Sequence, residues 1–547
     1  MSTTLHTTRR TRPSMKLRSI ARRLRKRWPW ALLALLPALP LAAAFAPEPG
    51  RAYAALLLGV VVFASVLAVS GLRAAAARSR ELALHPSPAA PAAPKFSGPI
   101  SDRKQKAYVR WTGRLHNGWS EAALPVLYQT ARTKKEDPRY RLKVLRALCE
   151  WHAQERRDRR EPRDLDFDVV IVSNMNLPGG TTSSNEAEIL AFREAGLRVG
   201  LLHHPVWNWN IIRPINPKLE ALVDDEQVVR LTPADTARCR LMIVRLPNTM
   251  IRLMDDLPQI SADRAILVIN QTPHEEYGVT GGYGRSWSIA DVHRNLTEWV
   301  GDHTWYGISP VVLGILDRYH AEELAHVDVA AAPWYNTIDM RRWDRGDDLP
   351  ERGDRPIRIG RHSRDHITKW PNAADQMRAA YPARDDIEVH VMGGHKSVQR
   401  IIGTLPDNWV SHPFGSMHAS EFLRELDVYV YFTDEAYVEA FGRSPLEAMA
   451  TGVPCILPDR FEPLFGEGAF YCRPDEVEAE VRRLMDDPEY YRARVEAGRR
   501  TVRERFSPQA LMQRLAGYGI DVDPAVFDAP IAPAADLDEP ATARTSA

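Results

Sequence analysis

Glu439-Ala440-Phe441-Gly442-Arg443-Ser444-Pro445-Leu446-Glu447-Ala448-Met449-Ala450-Thr451-Gly452-Val453-Pro454-Cys455-Ile456 is the stretch on which the reading of this 547-residue chain turns. Two glutamates stand eight positions apart around a Phe-Gly bend and a Ser-Pro helix start; an apolar helix face and a short β-branched strand follow. Such spacing presents one carboxylate from a loop and the other from the opening turn of a helix. Helix openings carry unpaired backbone N–H groups and a partial positive charge, which suits an anionic ligand such as a diphosphate. The plainer account makes Ser444, Pro445 and Glu447 an ordinary capping box and Glu439 a solvated loop acid.

Strand and helix alternate on both sides of this segment. Ile357-Arg358-Ile359-Gly360 opens a unit that continues with a helix from about Asn372, a strand at 387–392 ending in Gly393-Gly394, and a strand at 428–432. After the glutamates come a strand at 453–457 and closing helices to residue 518. Upstream, Asp168-Val169-Val170-Ile171-Val172-Ser173 reads as a buried strand whose loop holds Pro178-Gly179-Gly180. Ser184 is expected to cap the next helix, with further strands at 197–202, 241–245 and 265–270. The pattern predicts an α/β chain of two units with open parallel sheets, each placing its ligand beyond the carboxyl ends of the strands. Gly179 and Gly180 allow backbone to come close to a sugar or phosphate, since glycine lacks a Cβ.

Length and charge agree with that division. A chain of this size exceeds a single core, so two globular units with appendages are expected. Residues 1–30 hold ten Lys/Arg and no acid, leaving 62 basic against 70 acidic residues elsewhere, or −8. The body is therefore not a basic nucleic-acid binder. Cys149, Cys239, Cys455 and Cys472 show neither metal-ligand spacing nor a disulfide framework, and read as buried free thiols in a reducing compartment.

The appendages are distinct in composition. Residues 1–27 form a basic head and 28–73 hold two apolar stretches. The first, 28–46, is uncharged but carries Pro29, Pro37 and Pro40; the second, 52–72, has 21 residues without charge, the length of a bilayer core. Arginines flank both sides, so the positive-inside rule gives a helical hairpin with both ends in the cytoplasm. A cleaved signal plus one helix would also leave the body cytoplasmic, a single uncleaved helix would export it, and a buried soluble helix pair is disfavoured by the flanking arginines. Residues 84–100 are a Pro/Ala-rich tether. The helical segment 101–160 rests on the membrane through its basic face or, the favoured reading, braces the next domain. Residues 522–547 have the composition of a disordered tail.

Taken together, the glutamate block and its surroundings resemble the donor-binding signature of the family-4 class of retaining glycosyltransferases and their GT-B fold, two Rossmann-like domains facing a cleft. The resemblance covers residues 166–518, with an acceptor domain at 166–335 and a nucleotide-sugar donor domain at 336–518. Beyond the glutamates it rests on Gly179-Gly180 with the Ala195-Gly196-Leu197 turn, on Asn336-Thr337-Ile338-Asp339 in place of the family's Asn-Gly-Val-Asp hinge, and on the basic loop Gly360-Arg361-His362-Ser363-Arg364 with Lys369. It implies that Glu439 contacts the donor sugar and Glu447 the ribose, while Gly442, Arg443 and Ser444 bring backbone to the diphosphate. Positive charge is needed at the β-phosphate, where negative charge grows as the glycosidic bond breaks. Arg361 and Lys369 are the candidates, with Arg364 able to replace either, because the gap between Arg361 and Lys369 is longer than the family's. His274 is the sugar-facing histidine expected in the first domain, with His203 and His204 as runners-up; Trp207, Trp209, Tyr277 and Tyr283 either stack on an acceptor or pack.

The resemblance thus implies a membrane-anchored transferase at the cytoplasmic face, moving sugar from a nucleotide-diphosphate donor to a glycan or lipid-linked acceptor. It implies retention of configuration, no metal and no cofactor; Asp166 and Asp168 fit an Asp-x-Asp pattern but read as solvated strand residues. A sugar-nucleotide epimerase of the same fold and a non-catalytic membrane scaffold with a degenerate donor site are the competing readings.

Overall fold

The computed structural model describes residues 98–158, 162–209, 213–346 and 354–530. The basic head, the apolar segments at 28–73 and nearly all of the 84–100 tether lie outside the described residues. Among the described residues, no helix is long and apolar enough to cross a membrane.

Three helices come first: α1 (Asp102–His116), α2 (Ser120–Arg132) and α3 (Pro138–Asp158). They share a small core of Leu115, Leu127, Tyr140, Val144 and Leu148. The connection between α1 and α2 is the brace. Trp119 is fully buried, and its indole N–H donates to the Leu253 carbonyl at 2.9 Å, while the Ser120 hydroxyl donates to Asp256 Oδ1 at 2.7 Å.

The first sheet is parallel, with strand order β3-β2-β1-β4-β5-β8. Its members are β1 (Asp164–Ser173), β2 (Val199–His203), β3 (Val228–Arg230), β4 (Thr236–Arg245), β5 (Gln259–Ile269) and β8 (Thr304–Gly307). In β1 and β4 burial alternates at the start and becomes continuous over the last five residues, as expected where helices cover both faces of a parallel sheet. An antiparallel hairpin, β6 (His274–Gly278) and β7 (Gly281–Arg285), is inserted between β5 and β8.

A second parallel sheet repeats the topology: β11 (Trp409–His412), β10 (Ile387–Met392), β9 (Ile357–His362), β12 (Val428–Val430), β13 (Cys455–Leu457) and β14 (Phe470–Tyr471). In each half the first strand stands at the centre, second and third on one side, fourth to sixth on the other. This is the doubly wound 3-2-1-4-5-6 order, whose ligand crevice opens where the direction of winding reverses. Those switch points lie between β1 and β4 and between β9 and β12.

Three local expectations are corrected. The helix after β1, α4 (Gly180–Glu194), begins four residues before Ser184, whose hydroxyl donates back to the Gly180 carbonyl at 2.8 Å instead of capping. Of the expected tail, residues 522–530 are placed: Pro524–Asp528 form one turn, with Phe527 buried. Cys149 is exposed, whereas Cys239, Cys455 and Cys472 are buried.

The end of the second half also returns to the first. Helix α7 (Pro508–Ala516) sends the Arg514 guanidinium to the Tyr335 carbonyl at 3.2 Å, and Tyr518 shares a 2.6 Å hydroxyl–hydroxyl hydrogen bond with Tyr306 of β8. Leu511, Met512 and Leu515 thereby join the same apolar core as the first sheet. Beside this seam, Arg245 and Glu188 form a fully buried ion pair at 2.5 Å, joined by Asn336 and the Trp334 indole.

Candidate active site

The glutamate block stands at the carboxyl end of β12, next to that of β9, at the second switch point. Helix α5 (Pro310–His320) belongs to the first half, and α6 (Arg443–Thr451) follows the glutamate loop in the second. It starts at Gly442, which has φ +76°, and a Cβ there would lie 2.8 Å from Phe461 Cε1. Both conformation and space therefore require glycine. With no side chain at the cap, the Arg443 and Ser444 N–H groups open the helix; Pro445 has none.

Glu447 is not a cap. No side-chain cap bond forms at this helix. Its carboxylate instead meets His362 Nε2 at 2.8 Å and accepts from Arg443 Nε at 2.9 Å. Burial alone would raise its pKa, but His362 and Arg443 hold it below the ordinary value. Arg443 also reaches the Thr337 carbonyl at 3.4 Å, which ties the site to the hinge between the halves.

Glu439 is not a solvated loop acid either. It pairs with Lys369, and the Tyr431 hydroxyl donates to its Oε2 at 2.9 Å. The two charged side chains are only 13% and 12% exposed, so their attraction is weakly screened. Burial opposes ionisation of both, yet each holds the other charged: Glu439 is lowered and Lys369 raised from its ordinary value. The Lys369 ammonium also lies 4.9 Å over the Tyr437 ring. Arg364, exposed on the same loop, is electrostatically felt by both Lys369 and Tyr437.

Arg361 is a correction. Expected at the phosphates, it is completely buried beneath the loop. Its guanidinium donates to the Lys369 carbonyl at 2.6 Å, the Phe432 carbonyl at 2.7 Å and the Tyr381 hydroxyl at 3.0 Å, between the rings of Trp370 and Tyr431. Its last position but one in a buried strand turns it into the sheet; it positions Lys369 and does not itself reach the crevice. The pair of basic side chains left to the site is Lys369 and Arg364.

The first half contributes from its own switch point. Gly179 (φ +102°) and Gly180 open α4, and a Cβ on either would meet nothing within 4 Å, so this loop faces open space. The hairpin reaches across: Glu276 bridges to Tyr437, and Ser309 at the start of α5 donates to the Ala440 carbonyl at 2.5 Å. His274 lies on that hairpin, stacked on His320 at 5.5 Å, with Nδ1 buried and without a partner. Burial, then His320, lowers its pKa, so it is neutral at physiological pH. The structure pairs Glu439 with Lys369, keeps Arg364 within electrostatic reach of Lys369, joins Glu447 to His362 and Arg443, and sets the His274 hairpin against the Tyr437 loop.

The other candidates find partners within their own half. His203 accepts from the Met175 N–H at 3.0 Å and His204 from the Met254 N–H at 3.2 Å; burial lowers them to about 3 and about 4. Trp207 is clamped between Arg114 at 3.8 Å and Arg252 at 3.9 Å, Tyr277 donates to or accepts from His320 Nε2 at 3.0 Å, and Tyr283 bonds Thr280. Asp166 pairs with Arg238 and Asp168 accepts from the Arg198 N–H. Sequence reasoning passed over His362, Tyr431, Tyr437, Glu276 and Ser309. Only His362 had a signal, as the last residue of its strand beside the basic loop.

No protein-family model and no curated protein matches the chain. Among solved structures, it is similar to a glycosyltransferase from Rickettsia africae, with 14% identity over 64% of this chain and 98% of that one, and a TM-score of 0.43. It is also similar to an α-glucosyltransferase in complex with UDP and a 13-mer DNA (12% identity, 64% and 99% covered, TM-score 0.43) and to the glycotransferase of kitacinnamycin (14% identity, 65% and 100% covered, TM-score 0.34). The assignment of two doubly wound halves stands on strand order and register.

Proposed function

We propose that the protein is a glycosyltransferase that moves a sugar from a nucleoside-diphosphate donor to a glycan or lipid-linked acceptor at the cytoplasmic face of a membrane. The observation that carries this reading is the buried Lys369–Glu439 pair beside the switch point of the second sheet, with Arg364 on the same loop as Lys369 and the glycine-opened first turn of α6 directly after Glu439 in the chain. In this reading the acceptor hydroxyl oxygen bonds to the anomeric carbon on the face that the diphosphate leaves, and the departing diphosphate oxygen takes up the hydroxyl proton as its bond to the sugar breaks. Lys369, Arg364 and the Arg443 and Ser444 N–H groups face the charge that grows on the departing diphosphate. The positive charge comes from the chain itself, in keeping with a metal-independent reaction, and the resemblance to the family-4 class implies retention of configuration. Glu439 and Glu447 offer acceptor oxygens to the hydroxyls of donor sugar and ribose; on donor entry the Lys369–Glu439 pair opens, one partner turning to phosphate and the other to sugar.

The test is nucleoside-diphosphate release by the full chain in membranes, across donors of different base and sugar. Lys369→Ala and Glu439→Ala are expected to lower kcat by a factor of about 100 or more, since removing one such charge contact costs about 3 kcal/mol of transition-state stabilisation. Release equal to wild type in both variants overturns the assignment. A donor that binds without any release by wild type points to the scaffold, and release of an isomerised nucleotide sugar without acceptor points to the epimerase.

A further inference from the structure

The helical brace has a second face that the packing of the domain does not use. Tyr140, Val144, Ala147 and Leu148 of α3 are buried, as the core of the three helices requires. On the opposite side Arg139, Leu142, Arg146 and Cys149 recur at three- and four-residue spacing, which places them on one stripe, with Leu145 alongside. All five are exposed; Leu142 is 62% and Leu145 41% exposed. Neither leucine belongs to the core of the three helices or to the side chains packed against it.

Helix α1 extends this face. Lys143 of α3 donates to Gln105 of α1 at 3.2 Å and lies 4.3 Å over the Tyr108 ring, so the helices abut there. Val109, one turn beyond Gln105, is 39% exposed. Around it α1 carries Arg103, Lys104, Lys106, Arg110 and Arg114 against Asp102 alone. Arg139 is held by Asp137 and Lys104 by Glu136. Arg103, Lys106, Arg110 and Arg146 are exposed and make no ion pair among the described residues.

We propose that this α1–α3 face docks on an anionic lipid bilayer, with Leu142, Leu145 and Val109 entering the interface and Arg103, Lys106, Arg110 and Arg146 meeting lipid phosphates. Exposed aliphatic side chains set among unpaired cations match a lipid surface, which offers hydrocarbon and negative charge within a few ångströms of each other. Chain continuity favours the same occupant: α1 begins a short way after the apolar stretches at 28–46 and 52–72, with the Pro/Ala-rich segment between. The inference rests on the membrane location of the proposed function but not on its chemistry.

Cys149 makes the face directly observable. It is the exposed thiol of the stripe, whereas the other three are buried, and burial raises Cys239 and Cys472 to about 12 and Cys455 higher still, leaving them unreactive. Full-length protein labelled there with an environment-sensitive fluorophore is mixed with, or reconstituted into, vesicles of phosphatidylcholine with or without phosphatidylglycerol. The expected result is blue-shifted emission, quenched by brominated acyl chains, in the anionic vesicles only and reversed at about 0.5 M salt, where screening shortens to about 4 Å. Arg110→Glu and Arg146→Glu are each expected to reduce the docked fraction by about fivefold or more, and the paired variant Leu142→Glu, Leu145→Glu to abolish quenching. Equal signals in neutral and anionic vesicles overturn the proposal, since a tether alone predicts that equality. So does a blue shift that grows with protein concentration without lipid, which would assign the face to a second copy of the chain. The readout needs no turnover, so it remains decisive if sugar transfer is not found.

Discussion

Lys369 and Glu439 show why residue identity alone does not define a site. As isolated letters they are a surface lysine and a loop acid; in the fold they are a largely buried ion pair. Removing either partner leaves an uncompensated charge, which typically costs 3–5 kcal/mol, about what a double-mutant cycle resolves easily. Lys369→Met and Glu439→Gln are therefore each expected to lower stability by about 3 kcal/mol in denaturant unfolding, and the double variant by clearly less than the sum. The pH dependence has a defined sign. Glu439 is lowered from its ordinary value of 4.5, so its contribution is complete above that value and is lost as pH falls through the native value. Melting temperature followed from about pH 6 down to pH 3 is expected to fall more steeply for wild type than for Glu439→Gln. Arg361 gives a complementary expectation: Arg361→Lys keeps the charge but not the three-way hydrogen bonding, and is expected to destabilise by about 2 kcal/mol or more and to lose turnover along with the position of Lys369.

At the scale of elements, the turn into α6 carries the site. Gly442 combines a left-handed backbone with a Cβ position already filled by Phe461. Gly442→Ala is expected to cost about 1–2 kcal/mol for the backbone alone, with added loss from the clash and a raised KM for donor as the first N–H groups turn away. A thermal-shift series with nucleotide sugars separates the two effects: wild type is stabilised by about 2.7 kcal/mol at a hundredfold excess over Kd, and the variant less. The brace behaves differently. Trp119 is a buried anchor between the α1–α2 connection and the first sheet, so Trp119→Ala is expected to cost about 3–5 kcal/mol without changing donor affinity in the surviving folded protein.

For the whole molecule, the return of α7 to the first half couples two units that strand order would allow to be independent. Its leucines and methionine lie in an apolar core to which both halves contribute, and the Arg514 and Tyr518 contacts fasten it to the hinge and to β8. Truncation after Ser507 is expected to remove hydrogen-exchange protection from β4, β8 and the 334–339 hinge while leaving β9 and β10 largely protected. Equal loss in both sheets would mean that the halves unfold as one body regardless of this helix.

How much was legible beforehand follows from what each feature depends on. Parallel strands buried on both faces are continuous apolar runs, so β1, β9, β10 and the two α/β units could be read from local pattern, whereas Glu439 and Glu447 are singled out by the family resemblance and read locally as a loop acid and a cap. Strand alternation did not say which way Arg361 points, because its fate depends on the distant partners Trp370, Tyr381 and Phe432. His362, Tyr431 and Tyr437 gained their roles in the same way, from contacts that no local spacing encodes. The hairpin crossing to Tyr437, the exchange of Glu447 from cap to ion pair and the return of α7 likewise join residues far apart in the chain. Local periodicity records which side chains avoid water; only folding settles which charged groups are then left facing one another.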